Sequence, residues 1–261
     1  MLELGLLAVV VFAGFTVEAT LGFGATVVAV ALASMFMPID RVLPSFVPLN
    51  MVLSATLAYR GRHELDLRLL FGRIAPAVAL GMPLGMWLFG RAPEAWLKLG
   101  FGVFIVALGA IELTKRPVPT RSPDDGASEV RAARELPPPI AALLLALGGV
   151  AHGAYGTGGP MVVYVMGRKL AASKATFRST LSLLWLVLNV VLVGSFVVRG
   201  SVGRESITTT ILLAPSLLAG LWVGQRLHDR IGLGAFRVAV FIGLVVAGAV
   251  LVVRNASAAL G

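Results

Sequence analysis

Long apolar runs alternate with short polar joints along the whole chain. Eight apolar segments can be drawn, near residues 4–37, 42–59, 69–90, 95–114, 138–167, 177–198, 206–227 and 233–253. An α-helix of about 18 or more apolar residues is long enough to cross a hydrocarbon core of ~30 Å. The pattern therefore predicts an all-α polytopic membrane protein. The segments fall into two groups of four. A first transmembrane repeat is expected over residues 1–115, a polar linker over 116–136 and a second repeat over 137–261. The linker is rich in Pro, Arg, Asp and Ser, a composition that favours flexible chain over helix.

Two segments are too long for one span and carry a break in the middle. The first, 4–37, would be about 50 Å long as a single helix. It is interrupted by Leu21-Gly22-Phe23-Gly24-Ala25. The other, 138–167, is interrupted by Gly156-Thr157-Gly158-Gly159-Pro160. Gly and Pro release backbone N–H and C=O groups from the helix ladder. In a membrane this is tolerated only where protein or a water-filled cavity satisfies them. Matching breaks in two halves of a chain point to the binding site of a transporter.

The halves also match residue by residue. A shift of 139 pairs Asn50 with Asn189, Arg60-Gly61 with Arg199-Gly200, Pro76 with Pro215, Gly81 with Gly220, Gly85 with Gly224 and Lys98 with Arg237. Upstream the shift is 134, pairing Glu18 with His152, Gly22 with Gly156 and Gly24 with Gly158. One constant offset that relates Asn, Pro and Arg-Gly alike marks an internal repeat. Gly81 with Gly85, and Gly220 with Gly224, form small-xxx-small pairs that let helices approach closely in lipid.

Composition agrees with the pattern. Of 261 residues, 57% are apolar and 13% are charged, against about 25% charged in soluble domains. The net charge of +9 is not a nucleic-acid signature, because the basic residues lie at segment ends, where they set topology. With no Cys, disulfides, thiol nucleophiles and Cys-ligated metals are excluded. Met1-Leu2-Glu3 offers no basic n-region and the apolar run continues past residue 30, so a cleaved signal peptide is not expected.

Charge also bears on topology. If all eight segments cross once, 12 of the 22 Lys and Arg fall on one side, which is no bias. If both broken segments return to their own side, the split becomes 16 to 6. The positive-inside rule then favours inverted repeats, with both termini outside and the linker in the cytoplasm.

A helix that restarts after a glycine break aims free N–H groups and a partial positive charge at the break. Restarts are expected at about Ala25 and Met161, with Pro160 in the first turn, where its missing N–H costs nothing. The expected substrate-binding residues are Gly22, Phe23, Gly24, Ala25, Gly156, Thr157, Gly158 and Gly159, the two breaks sharing one small anion. Asn50 and Asn189 join them, each near the middle of an apolar helix, where a side-chain amide needs partners. An interhelical hydrogen bond is the alternative role for both. Glu18 and His152 sit one turn before each break. Intramembrane ionisable groups are candidates for proton coupling.

These features resemble the TauE/SafE family of sulfite and organosulfonate exporters. The resemblance rests on the broken first helices with Gly22-Phe23-Gly24 and Gly156-Thr157-Gly158-Gly159-Pro160, and on the four-helix repeat around a variable loop. It extends to Ser173-Lys174-Ala175-Thr176 and to Gly81-x3-Gly85 followed by Trp87-Leu88. It implies a multi-pass protein of the bacterial inner membrane that exports a small sulfur-containing anion. No enzyme constellation appears: the chain has no HExxH, P-loop or Gly-x-Ser-x-Gly. No cofactor and no metal are expected. The expected partners are a small anion, the lipid bilayer and a coupling proton or ion; a homo-oligomer stays open. Other small anions such as carboxylate or thiosulfate are the alternative cargo, and a non-transporting membrane scaffold is the alternative class.

Overall fold

The computed structural model describes residues 2–21, 24–114, 136–169, 174–230 and 233–260. Gly22, Phe23, linker residues 116–135 and Ser173 lie outside the described residues, as do the side chains of Lys174 and His228. The described residues form helices and their joints, with no strand among them. In order these are α1 (Leu2–Leu21), α2 (Ala25–Ala33), α3 (Ile39–Arg60), α4 (Leu67–Arg91), α5 (Glu94–Thr114), α6 (Pro138–Tyr155), α7 (Gly159–Lys169), α8 (Lys174–Val198), α9 (Arg204–Arg230) and α10 (Leu233–Leu260). Among the described residues, eight helices are long and apolar enough to cross a membrane. The short ones are α2 and α7, of 9 and 11 residues, about 14 and 17 Å long against a core of ~30 Å.

Both short helices double back along the helix before them. Gly14 of α1 lies so close to α2 that a Cβ there would stand 2.8 Å from the Ala25 carbonyl oxygen and 3.5 Å from Ala29 Cβ. A continuous helix would hold residues 14 and 25 about 16 Å apart. In the same way Gly148 of α6 meets Val162 and Met161 of α7, at 3.2 and 3.5 Å from its Cβ position. This is the local geometry that a hairpin reading of the broken segments requires.

The described elements sort into two compact units, each drawing on both halves of the sequence. One holds α1, α2, α3 as far as Asn50, α5, α9, α10 and the ends of α4 and α8. Its core includes Phe15 stacked on Phe46, ring centroids 5.2 Å apart, and Phe89 against Phe196 at 5.5 Å. Here α9 presses on α1 through glycines: a Cβ on Gly220 would sit 2.7 Å from Phe12 O, and one on Gly224 would sit 2.5 Å from Thr16 O. Thr20 adds a hydrogen bond from its hydroxyl to Gly224 O at 3.1 Å. Gly102 of α5 makes a similar approach to Gly248 of α10.

The other unit holds α3 from Met51, α4 as far as Trp87, α6, α7 and α8 as far as Leu192. Its central contact is α4 on α6. Gly81 and Gly85 lie against the carbonyls of Ala146 and Val150, and Gly149 and Gly153 lie against those of Val78 and Met82. No side chain fits at any of the four, because backbone stands where its Cβ would be. Gly81 meets residue 146 while Gly220 meets residue 12, and Gly85 meets 150 while Gly224 meets 16. Both pairs of contacts obey the shifts of 139 and 134. Helix α4 starts on an Asp66 cap, whose carboxylate accepts from Leu69 N at 2.8 Å, and contains one π-helical turn at Leu70–Ile74.

Candidate functional site

At the first break α1 ends at Leu21 and α2 restarts at Ala25. Gly24, between them, has φ 109°, a left-handed backbone that glycine accepts without a Cβ penalty. Glu18 reaches the restart: Ala25 N donates to Glu18 Oε2 at 2.9 Å. A carboxylate at a helix start satisfies an orphan N–H and meets the positive end of the dipole. Asn50 arrives from α3, its Nδ2 donating to Thr26 Oγ1 at 2.8 Å. Both functional side chains at this break therefore spend hydrogen bonds on the first two residues of α2.

The second break is built differently. Helix α6 ends in Gly156, with φ 65°, whose N–H donates to His152 O at 2.8 Å. Thr157 and Gly158 are buried, and α7 starts at Gly159, two residues ahead of the expected Met161, with Pro160 in its first turn. Val162 N closes onto Gly158 O at 3.4 Å. His152 lies against this start, its Cβ 3.2 Å from where a Gly158 Cβ would be. Its ring stacks on Trp185 of α8, centroids 5.5 Å apart and planes 12° apart. Trp185 in turn lies 4.0 Å from the Cβ position of Gly159. Asn189, one turn beyond Trp185, stands beside His152.

Both His152 and Asn189 are 2% exposed. Yet Nδ1 and Nε2 of His152 and Nδ2 of Asn189 have no hydrogen-bond partner of good geometry. Leaving a buried polar group unpaired costs about 1–3 kcal/mol, and native proteins keep few such groups without a reason. Three of them belong to His152, which lies against one helix start, and to Asn189 beside it. The arrangement can donate hydrogen bonds to a small, desolvated anion.

The sequence names nearly all of these residues. Gly24, Ala25, Asn50 and Glu18 come together at one break, and Gly156, Thr157, Gly158, Gly159, His152 and Asn189 at the other. It misses Thr26 and Trp185. Trp185 was available from spacing, because residues four apart share a helix face. Other polar candidates turn elsewhere: Ser182 Oγ donates to Arg178 O at 2.8 Å within its own helix, and exposed His63 accepts from Arg62 Nε at 3.2 Å. Among the described residues no group of three or more His, Cys, Asp or Glu could hold a metal ion.

Broken helices, glycine-sealed helix pairs and, among the described residues, eight helices of membrane-spanning length are the architecture of a multi-pass membrane protein. Residues 6–251 match the family described as Sulfite exporter TauE/SafE, and the chain belongs to that family. It is also similar to the Probable inner membrane transporter protein TsaS of Comamonas testosteroni, 28% identical over 178 residues, covering 68% of this chain and 69% of that one. No solved structure matches.

Proposed function

We propose that the protein is a secondary transporter of the bacterial inner membrane that exports a small sulfur-containing anion, sulfite or an organosulfonate. The observation that carries this reading is the second break, where a helix start meets buried His152 and Asn189, whose ring nitrogens and Nδ2 make no hydrogen bond of good geometry. A membrane scaffold gains nothing from leaving such groups unpaired, whereas a transporter needs donors that bind cargo and release it. The family description supplies the sulfur chemistry, and the name of the Comamonas relative supports the inner membrane. Binding is assigned to the backbone of the two breaks and to the amides at positions 50 and 189, and proton coupling to Glu18 and His152. The repeats, 1–115 and 137–261, are taken as inverted, joined by the cytoplasmic linker 116–136, with both termini outside.

Counterflow in proteoliposomes tests the reading. Vesicles loaded with unlabelled sulfite should accumulate labelled sulfite, and a pH gradient should change the rate. Carboxylate or thiosulfate exchange in place of sulfite would move the cargo to another anion. No exchange with any of them, and no anion-dependent rise in melting temperature, would leave a scaffold.

A further inference from the structure

The two breaks occupy equivalent places in the repeat, yet their hydrogen bonding is opposite. A shift of 134 relates Glu18 to His152, Ala25 to Gly159 and Thr26 to Pro160, and a shift of 139 relates Asn50 to Asn189. In the first break Glu18 accepts from Ala25 N, and Asn50 donates to Thr26 Oγ1. In the second break both partners have changed. Position 152 holds an imidazole in place of a carboxylate, so no side-chain anion is offered to Gly159. Position 160 holds a proline, which has no hydroxyl for Asn189 to reach. Asn189 Nδ2 and both His152 nitrogens are correspondingly left without a hydrogen bond of good geometry, at 2% exposure, with Asn189 beside the His152 ring.

From this asymmetry we infer that the chain binds one anion, at the second break alone, and that Glu18 is the resident anion of the first. The inference rests on the transport reading above and narrows its site to one unit: His152, Asn189, Trp185, Thr157 and the Gly158–Gly159 backbone. The Glu18 carboxylate does at Ala25 what a substrate oxygen does at Gly159: it takes the free N–H and the positive end of the helix dipole.

The chemistry of the second break also selects the charge of its ligand. Its donors are a ring N–H, an amide, a hydroxyl and backbone N–H groups. Among the described residues no Lys, Arg, Asp or Glu side chain is buried, and none is among the groups brought together at this break. Desolvation of an ion rises with the square of its charge, and neutral donors offset that cost for one charge far better than for two. The ligand class is a monoanion with a compact oxyanion head: a sulfonate, or sulfite in its singly protonated form.

Purified full-length protein in detergent decides the matter, with methanesulfonate as the fixed monoanion and sulfate as the dianion. Calorimetric titration should give one methanesulfonate per chain, with sulfate at least about tenfold weaker, the loss expected when a charged group lacks a suitable partner. Hydrogen–deuterium exchange at saturating methanesulfonate should slow over residues 156–162 and stay unchanged over 24–30. Asn189→Leu and His152→Gln should each weaken binding about tenfold or more while keeping the wild-type elution profile; two variants are used so that misfolding of one leaves the other. Two anions per chain, equal protection of both breaks, or sulfate binding as tight as methanesulfonate would overturn the inference while leaving anion transport standing. Absence of any anion binding by the wild-type protein would overturn both.

Discussion

Gly85→Ala adds a single methyl group to the seam between α4 and α6, and it should be among the most damaging small substitutions in the chain. The new Cβ would overlap Val150 O and stand 2.8 Å from Ala154 N and 2.9 Å from the Gly153 Cα. All three are backbone, so no side chain can swing aside. An ordinary carbon–oxygen contact needs about 3.3 Å, and α4 must back away from α6 by about 1 Å. A gap of that size forfeits a quarter to a half of each dispersion contact it opens. Gly81, Gly149 and Gly153 share the same seam and lose their contacts together. Overpacking of this kind costs about 1–3 kcal/mol, and a backbone obstacle places this case at the upper end. At about 2–4 °C per kcal/mol for a chain of this size, the melting temperature should fall by about 5–10 °C. Tryptophan fluorescence of the purified protein during heating measures it. The control is Gly194→Ala in α8, where nothing lies within 4 Å of the added Cβ. There alanine's better helix propensity should leave stability unchanged or raise it by up to about 1 kcal/mol. A Gly85→Ala protein that melts with, or above, the Gly194→Ala protein would refute the close-packing argument.

Three further outcomes are expected. Asn189→Leu should abolish sulfite flux in proteoliposomes with expression intact; unaltered flux would remove Asn189 from the site. Glu18→Ala should cost about 1 kcal/mol, the usual worth of a helix cap, and speed exchange of the Ala25 amide, which now donates to Glu18 at 2.9 Å; an unchanged exchange rate would show that the cap contributes nothing. A reporter fused to the C-terminus should read as periplasmic, and a cytoplasmic signal would sink the 16-to-6 charge argument for returning hairpins.

Hydropathy makes the spans legible because lipid imposes one requirement, a run of apolar residues long enough to close its own hydrogen bonds. The ends are less legible. The segment drawn to 253 continues as α10 to Leu260, through Arg254, whose Nη1 donates to Met35 O at 3.1 Å. A polar residue with a tertiary partner reads in sequence like a terminus. Likewise α3 begins at Ile39 instead of 42 and carries Pro44 and Pro48 inside it, although prolines argue locally for a boundary. The glycine breaks were legible as positions, and so was the pairing of Glu18 with His152. What the sequence could not display is the fate of each hydrogen bond. Glu18 finds the N–H of a residue seven positions on only because α2 folds back. Asn189 lacks the hydroxyl that Asn50 has only because Pro160 stands in the place of Thr26.

The glycine-sealed helix pairs constrain the order in which the molecule can be completed. Helix α4 meets α6 soon after both have left the ribosome, with only α5 and the linker between them in sequence. By contrast α1 must wait for α9: Thr20 and the carbonyl it binds on Gly224 are 204 residues apart. At about 5–20 residues per second of synthesis, that wait is roughly 10–40 s. During it the face of α1 on which Gly220 and Gly224 press stands without its partner helix. Until α9 arrives, that flank of α1 has only lipid or other protein to cover it.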